Sequence, residues 1–250
     1  MAFVREFGGT ETTTATTLLA SGSTAAGHLL VALFQMYTGA TISVSSVSDD
    51  GGNSWVAMGY GPMYSSGHNS RGEIWYTFAT NANVTGVTGH FSATVNAVMS
   101  VQEHTLSWGY DTSIGASATS TAASSGTSSA LAGSTDLIVA CVGDVNATTI
   151  TSTGTGYTAT AQHSSVTSGS TVDILSAYKY NGVSTGELYK ATVPSGYWTC
   201  GLVAFKPVSA GVVAVTRPTI VSQAVQRAAV WCRRADGLLV PNRRRIFLPA

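Results

Sequence analysis

Short apolar runs recur along this chain and are separated by clusters of Gly, Asn, Asp and Ser. Val, Ile, Thr, Tyr and Trp dominate the runs, and these residues favour strands, whereas Gly, Asn and Asp favour turns. Many short strands joined by frequent turns predict an all-β sandwich or barrel. The predicted strands cover residues 12–20, 28–36, 41–48, 54–60, 71–79, 86–92 and 95–106, and then 136–143, 157–163, 171–180, 187–193 and 197–206.

Charged residues make up only 10% of the chain, whereas about a quarter is usual in globular proteins. Ser, Thr and Gly take the places that Lys and Glu commonly occupy, and Ser and Gly are poor helix formers. Low charge reduces the solubility of a free monomer. The composition therefore favours a subunit of a larger assembly over a secreted monomer.

The two sets of predicted strands resemble each other. Residues 28–34 parallel residues 135–141, and residues 73–78 parallel residues 173–178. We therefore predict a jelly-roll-like β-sandwich from two similar halves. Two stacked sandwiches are the alternative arrangement, and chance similarity between generic strands is the rival explanation. The sandwich domain spans residues 1–206, and its halves are about 28–106 and 136–206.

A polar, low-complexity segment joins the two halves. Residues 112–135 are almost entirely Ser, Thr, Ala and Gly. Such a segment is either a flexible linker or a pair of polar strands on the surface. We favour an exposed connection that crosses from one half to the other.

The charges are divided between the body and the C-terminal segment. Residues 1–206 hold five basic and eleven acidic side chains, a net charge of −6, whereas residues 207–250 hold seven arginines and one acid, a net charge of +6. Opposite charges on two parts of one chain favour head-to-tail association of identical copies. We therefore interpret residues 207–250, the C-terminal arm, as an assembly device.

Apolar residues flank the basic clusters of the arm, which suits docking on a neighbouring subunit better than a solvated tail. Folding back onto its own body is the rival interpretation. Residues 211–217 are predicted to form a strand, and residues 219–235 either a helix, which the apolar spacing favours, or a strand. The predicted assembly residues are Arg227, Arg233, Arg234, Arg243, Arg244, Arg245, Leu238, Leu239, Ile246 and Phe247.

No strong signature of catalysis or metal binding is present in the sequence. The five histidines are scattered, and there is no nucleophile elbow, phosphate-binding loop or dinucleotide fingerprint. Residues 49–53, Asp-Asp-Gly-Gly-Asn, lack the ligand spacing of a calcium loop, so we interpret them as a tight turn. Cys141 and Cys200 lie in apolar runs and are predicted to be buried thiols, with a bridge between them as the alternative. We expect no enzyme activity, no cofactor and no metal.

Targeting and membrane signals are also not expected. Charges near the N-terminus interrupt the apolar run that a signal peptide needs. No apolar run is longer than the six residues of Leu29–Phe34, which is far too short to span a bilayer.

Several aromatic residues are candidates for stacking on sugars. Trp75 and Tyr76 are adjacent in a predicted strand and therefore point to opposite faces, so at least one of them belongs to the core. Tyr60 and Tyr64 flank a Gly-Pro turn and are the better surface candidates for a glycan. Nucleic acid is a weaker candidate partner for the arginines, because the net negative body would repel it.

One set of motifs resembles a module common in virion proteins of tailed bacteriophages. It comprises Val44-Ser-Ser-Val-Ser-Asp-Asp-Gly-Gly-Asn-Ser-Trp55, then Gly72-Glu-Ile-Trp-Tyr76, then Val84–Val95 and Val101-Gln-Glu-His104, and it closes with Trp198-Thr-Cys-Gly-Leu-Val-Ala-Phe-Lys206. The resemblance covers residues 28–206 and leaves the C-terminal arm outside. It implies a jelly-roll-like building block with no catalytic residues.

These observations predict a non-enzymatic structural component of a phage virion, either a minor tail or tail-tip protein or a capsid decoration protein. Its expected partners are copies of itself and other virion proteins. The alternative is a glycan-binding β-sandwich module that acts in adsorption to the host.

Overall fold

The described part of the chain is built from β-strands and contains no α-helix, as the sequence predicts. The computed structural model describes residues 2–10, 14–38, 41–65, 69–78, 84–105, 108–145, 149–167, 170–180, 184–194, 197–208, 231–233 and 239–241. It divides into two compact units, Met1–Ser209 and Ala210–Ala250. The all-β prediction is confirmed, and the packing of several antiparallel sheets is consistent with a β-sandwich.

Eight strands are described in the first half of the first unit. They are β1 Phe3–Thr10, β2 Ala15–Ser21, β3 Leu29–Tyr37, β4 Val44–Asp49, β5 Val56–Ala57, β6 Met63–Ser65, β7 Ser70–Phe78 and β8 Gly86–His104. Five of them form a sheet in the order β1-β8-β3-β7-β5, and β6 also pairs with β7. The start of β8 continues into a second layer, where it lies between β2 and β4.

The second half repeats this topology. Its strands are β9 Trp108–Thr119, β10 Ala122–Ser124, β11 Leu137–Val145, β12 Thr151–Ser152, β13 Thr158–Thr167, β14 Ser170–Tyr180, β15 Lys190–Thr192 and β16 Tyr197–Pro207. The order β9-β16-β11-β14-β13 matches β1-β8-β3-β7-β5 strand for strand, and β15 lies between β10 and β12 as the start of β8 lies between β2 and β4. The chain therefore contains two copies of one two-layered arrangement.

The two five-stranded sheets pack face to face. Alternate residues of β3 serve different cores: Leu30 and Phe34 pack in the core of the first half, whereas Leu29 and Leu33 pack in the seam between the halves. Strand β11 divides its residues in the same way. A strand buried on both faces needs a continuous apolar run, which explains why these two segments are the least polar of the chain. The two halves are thus joined through the seam, and each half also has a core of its own.

The structural alignment of the halves corrects the sequence comparison at β3 and β11. The comparison placed Leu137 opposite Leu30, but Leu137 lies in the seam, like Leu29, and Ile138 lies in its own core, like Leu30. The sequence alignment is therefore wrong by one residue here. In a strand a one-residue slip exchanges the two faces. At β7 and β14 the alignment is right, since Ile74 and Ile174 both lie in the seam.

Several strand predictions need correction. In place of the two predicted strands 86–92 and 95–106, one continuous strand, β8, runs from Gly86 to His104. The predicted exposed connection 112–135 is wrong for residues 112–119, which complete the edge strand β9 and pair with β16. Strand β1 was missed because its charged residues break the apolar pattern, and β6 and β12 were missed because they are very short.

In the second unit, two short strands are described, β17 Trp231–Arg233 and β18 Leu239–Pro241, and they pair antiparallel. The predicted helix over 219–235 is therefore wrong at residues 231–233. The remainder of that helix, the predicted strand 211–217 and most of the predicted assembly residues lie outside the described residues; only Arg233 and Leu239 belong to described strands.

Candidate functional site

A groove on one edge of the seam brings together the two tyrosines that the sequence singles out. It has a volume of about 460 Å³ and lies between the segment before β7 and the edge strand β9. We call it the Tyr60–Tyr64 groove. It is lined by Tyr60, Pro62, Met63, Tyr64, Gly115, Ala116 and Ser117.

A tight turn presents Tyr60 at the mouth of this groove. Gly61 has a φ of +89°, a conformation that favours glycine, and its N–H donates to Met58 O over 3.2 Å. Pro62 then leads the chain into β6, where residues alternate between the two faces. As a result Met63 points inward and is 3% exposed, whereas Tyr64 is half-buried at the rim.

Met63 anchors the turn because glycines leave room for it. A Cβ atom at Gly115 would lie 2.6 Å from Met63 Cγ, and one at Gly201 would lie 2.6 Å from Met63 Sδ. Both glycines belong to the second half, and they are direct partners across β9 and β16. The side chain of Met63 therefore ties the groove's turn to the opposite half of the molecule.

Hydrogen bonds fix both tyrosines against β9. The backbone N–H of Tyr60 donates to Ser113 Oγ over 3.1 Å, and Ser117 Oγ donates to Tyr64 O over 2.7 Å. The hydroxyl of Tyr64 donates to Asn69 Oδ1 over 3.2 Å. The backbones of both tyrosines are therefore held in place, while residue Tyr60 is 52% exposed at the surface.

The lining of the groove suits binding better than acid–base chemistry. Two phenol rings and one methionine supply flat or polarisable apolar surface, and Ser117 with the adjacent backbone supplies hydrogen-bonding groups. None of the seven lining residues is a carboxylate, histidine, lysine or cysteine. An uncharged polar ligand with an apolar face fits this chemistry.

The other aromatic candidates are used inside the fold. Trp75 packs against the core of the first half, and Tyr76 is buried in the seam, so both adjacent residues are core residues on opposite faces. Trp108 is buried, and its indole Nε1–H donates to Thr105 O over 2.9 Å. Of the two glycan-stacking candidates, Tyr60 is exposed and Tyr64 is half-buried.

The Asp-Gly-Gly-Asn segment is a turn, as predicted. Asp49 Oδ1 accepts from the backbone N–H of Asn53 over 3.0 Å, and Asp49 Oδ2 accepts from Trp55 Nε1 over 2.8 Å. Gly52 takes a φ of +69° between them. The motif that carries the phage resemblance is thus a self-contained turn whose aspartate is occupied by its own neighbours. Among the described residues no group of three His, Cys, Asp or Glu could hold a metal ion.

The described histidines do not form a common site. His28 Nδ1 lies 2.6 Å from Glu103 Oε1, His90 Nε2 lies 2.8 Å from Ser48 Oγ, and His104 Nδ1 lies 2.8 Å from Tyr180 OH. Burial lowers the pKa of His104 to about 3, so its imidazole is neutral at physiological pH.

One serine, one glutamate and one histidine do meet, but in an order that does not activate the serine. Ser100 Oγ donates to Glu6 Oε1 over 2.8 Å, and the same oxygen contacts His163 Nε2. In a catalytic triad the imidazole lies between the hydroxyl and the carboxylate and takes the hydroxyl proton. Here the carboxylate lies between them, and Ser100 is fully buried. This cluster holds the two halves together.

The two cysteines of the first unit are buried thiols, as predicted. Cys141 faces the seam and Cys200 faces the core of the second half, so they point to opposite sides of one sheet and cannot form a disulfide. Burial raises the pKa of the Cys141 thiol to about 12 and also raises that of Cys200.

The acidic excess of the first unit lies mostly in its interior. Glu103 is fully buried, and its carboxylate accepts from the backbone N–H of Ala25 and pairs with Arg5 Nε at 3.0 Å. Glu187 is buried and pairs with Lys179 Nζ at 2.6 Å. The buried carboxylates are those of Glu73, Glu103, Asp136, Asp144, Asp173 and Glu187. The negative charge counted from the sequence is therefore only partly available at the surface.

Among the described residues there is no helix with the length and apolar character needed to cross a membrane. Comparison of the chain with protein-family models, with curated proteins and with solved structures finds no match.

Proposed function

We propose that this protein is a non-enzymatic structural component of a tailed-phage virion, of the minor tail, tail-tip or capsid decoration type, and that it assembles through its C-terminal arm. One observation carries the proposal. The boundary between the compact units lies between Ser209 and Ala210, close to the point where the net charge of the chain changes sign. Residues 207–209 carry no charge, so the net charges counted for residues 1–206 and 207–250 also apply to the two units. A net charge of −6 thus belongs to one unit and +6 to the other.

The buried carboxylates refine how the arm would bind. Since most acids of the first unit face inward, few remain to pair with arginines on the surface of a neighbouring copy. The apolar residues Leu238, Leu239, Ile246 and Phe247 would then supply most of the binding free energy. Exposed ion pairs are screened over about 8 Å at physiological salt, whereas apolar contacts are not, so assembly should persist at moderate salt.

The test compares the oligomeric state of the full chain with that of a chain lacking residues 218–250. Light scattering after size-exclusion chromatography should show an assembly for the full chain and a folded monomer for the shortened one. Lys190→Gln, which removes an exposed cation outside the arm, is the matched control and should assemble normally. Normal assembly of the shortened chain, or its unfolding, would defeat the proposal.

Glycan binding is the second candidate function, because Tyr60 and Tyr64 line one groove. Phenol rings stack on the apolar faces of sugars, while Ser117 and the edge of β9 can bond sugar hydroxyls. In the particle this activity would serve adsorption to the host surface.

Calorimetric titration with soluble oligosaccharides from bacterial surface polymers tests this function. Tyr60→Ala should abolish binding and Tyr64→Ala should weaken it, whereas Tyr37→Ala removes a tyrosine of another surface, 38% exposed, and should have no effect. Equal binding by the Tyr60 and Tyr37 variants would assign the glycan to a different surface.

A further inference from the structure

The edge of the seam opposite the Tyr60–Tyr64 groove carries a second cleft. It has a volume of about 260 Å³ and lies between β1 of the first half and β13 of the second. In the repeated topology β1 corresponds to β9, and β13 corresponds to β5. The cleft is therefore the counterpart of the groove in the other half. We call it the β1–β13 cleft; it is lined by Phe3, Glu6, Thr158, Ala159, Thr160, Ala161 and Tyr178.

A β-bulge on each wall shapes this cleft. In β1 the register shifts between Phe3 and Arg5, so that Phe3 pairs with His104 and Glu6 pairs with Gln102. Because residues 102 and 104 share a face of β8, the bulge places Phe3 and Glu6 on the same face, which regular alternation would not do. On the opposite wall β13 shifts register between residues 159 and 162. Bulges re-aim side chains and concentrate beside functional sites.

The cleft contains a carboxylate with one oxygen left to bind a ligand. Glu6 Oε1 is used, since it accepts from Ser100 Oγ and contacts His163 Nε2. No hydrogen bond to Glu6 Oε2 is found among the described residues. The two contacts fix the carboxylate in place, and it is the only carboxylate among the lining residues.

Two aromatic rings line the same cleft as this carboxylate. Phe3 and Tyr178 stack in parallel, with ring centroids 4.6 Å apart and planes 8° apart, and both line the cleft. Aromatic faces attract cations, and guanidinium groups stack on them while they donate to carboxylates. A negative oxygen beside aromatic rings selects a planar cation over a neutral sugar.

We propose that the β1–β13 cleft binds a guanidinium group, and that arginines 243–245 of a second copy supply it. The C-terminal arm holds seven arginines and no lysine, so its cations match the planar group that this cleft selects. The proposal deepens the assembly function above and rests on it, because it names the surface on which the arm of a neighbouring copy docks. It also explains how the arm could bind a unit whose acidic side chains mostly face inward. Glu6 offers a carboxylate oxygen in the cleft at the edge of the seam.

The experiment uses the full chain carrying R243Q, R244Q and R245Q as the receptor, so that its own arm offers none of these three guanidinium groups to the cleft. A synthetic peptide with the sequence of residues 242–248 is titrated at low salt by calorimetry. The peptide should bind, and Glu6→Gln in the same receptor should weaken binding about tenfold or more, since a charge-assisted hydrogen bond is lost. A peptide with glutamine in place of its arginines keeps the apolar contacts but should bind at least tenfold more weakly, because it has no guanidinium group for Glu6.

Two further receptors separate the ligand site from folding effects. Asp50→Asn removes an exposed carboxylate outside the cleft and should bind like the parent. Phe3→Leu removes the stacked ring but leaves Glu6 in place, and should weaken binding less than Glu6→Gln. Thermal unfolding of each receptor shows that it is folded. Unchanged affinity of a folded Glu6→Gln receptor would overturn the proposal, as would equal binding of the glutamine peptide.

The two proposals fail in distinguishable ways. If the unmodified chain assembles but the peptide does not bind, the cleft is not the docking site and the assembly function stands. If the peptide binds in a Glu6-dependent manner but the unmodified chain is monomeric, the assembly function fails. The guanidinium site then stands, and the source assigned to its ligand is wrong.

Discussion

Gln35 of the first half and Thr199 of the second half are joined by a hydrogen bond across the seam. Thr199 Oγ1 donates to Gln35 Oε1 over 2.5 Å, and both side chains are buried. The amide Nε2 of Gln35 donates to Ser70 Oγ over 2.7 Å. Gly143 lies against the same amide, because a Cβ atom there would stand 2.0 Å from Gln35 Oε1. A buried polar group thus sets the position of one half against the other.

Thr199→Val is expected to destabilise the protein although it conserves shape. The valine leaves Gln35 Oε1 buried without its donor, which costs about 1–3 kcal/mol of unfolding free energy. Thr192→Val, at an exposed strand position, is the control and should change stability little. Urea denaturation of the three proteins measures the difference. Equal stability of the two valine variants would mean that the seam does not depend on this hydrogen bond.

Gly143→Ala should destabilise through Gln35 and not through the backbone. The added methyl must displace the amide and break its two hydrogen bonds, and such overpacking costs about 1–3 kcal/mol. Gln35→Ala in the same chain removes the obstacle, so the double variant should be more stable than the sum of the single effects predicts. Gly133→Ala, whose nearest neighbour would be 3.6 Å away, is the near-neutral control. Additive effects in the double-mutant cycle would contradict the steric explanation.

Lowering the pH should reduce the unfolding free energy of the protein through protonation of His104 in the unfolded chain. Its pKa is about 3 in the folded protein, against 6.5 for an ordinary histidine. Between these values the unfolded chain binds a proton that the folded protein excludes. The unfolding free energy therefore falls as the pH is lowered through this range, by up to about 1.4 kcal/mol per pH unit.

His104→Gln removes this contribution while other titrating groups remain. Urea denaturation at pH 4 to 7 should show that the stability advantage of the parent over the variant shrinks as the pH falls. Parallel pH profiles for the two proteins would show that His104 does not titrate on unfolding in this range.

The buried thiols should be inert until the protein unfolds. In a Cys232→Ser background, Cys141 and Cys200 should not react with an aromatic disulfide reagent at pH 8, because burial raises both pKa values and the thiolate is the reactive form. Both should react in denaturant, and mild oxidation should produce no internal disulfide. Metal analysis of the purified protein should find no stoichiometric zinc.

The sequence by itself determined the local structure of this protein. The β-branched runs made strands, and Asp49 with Asn53 and Trp55 made a turn, because the interactions responsible lie within a few residues of each other. The similarity of the two halves was also readable, since equivalent strands need equivalent apolar residues. Tyr60 and Tyr64 could be singled out because a Gly-Pro turn separates them.

Tertiary structure alone decided which face of each strand meets which partner. Both faces of β3 and β11 are apolar and buried, so the sequence comparison could slip by one residue and exchange the seam with the core. The polar segment 112–119 became an edge strand because β16 offered it a row of backbone partners. Glu6 reached its cleft through a bulge in β1. The physical reason is common to all three: these outcomes depend on contacts between residues distant in the chain, whereas sequence patterns record each residue's preference for burial but not its partner.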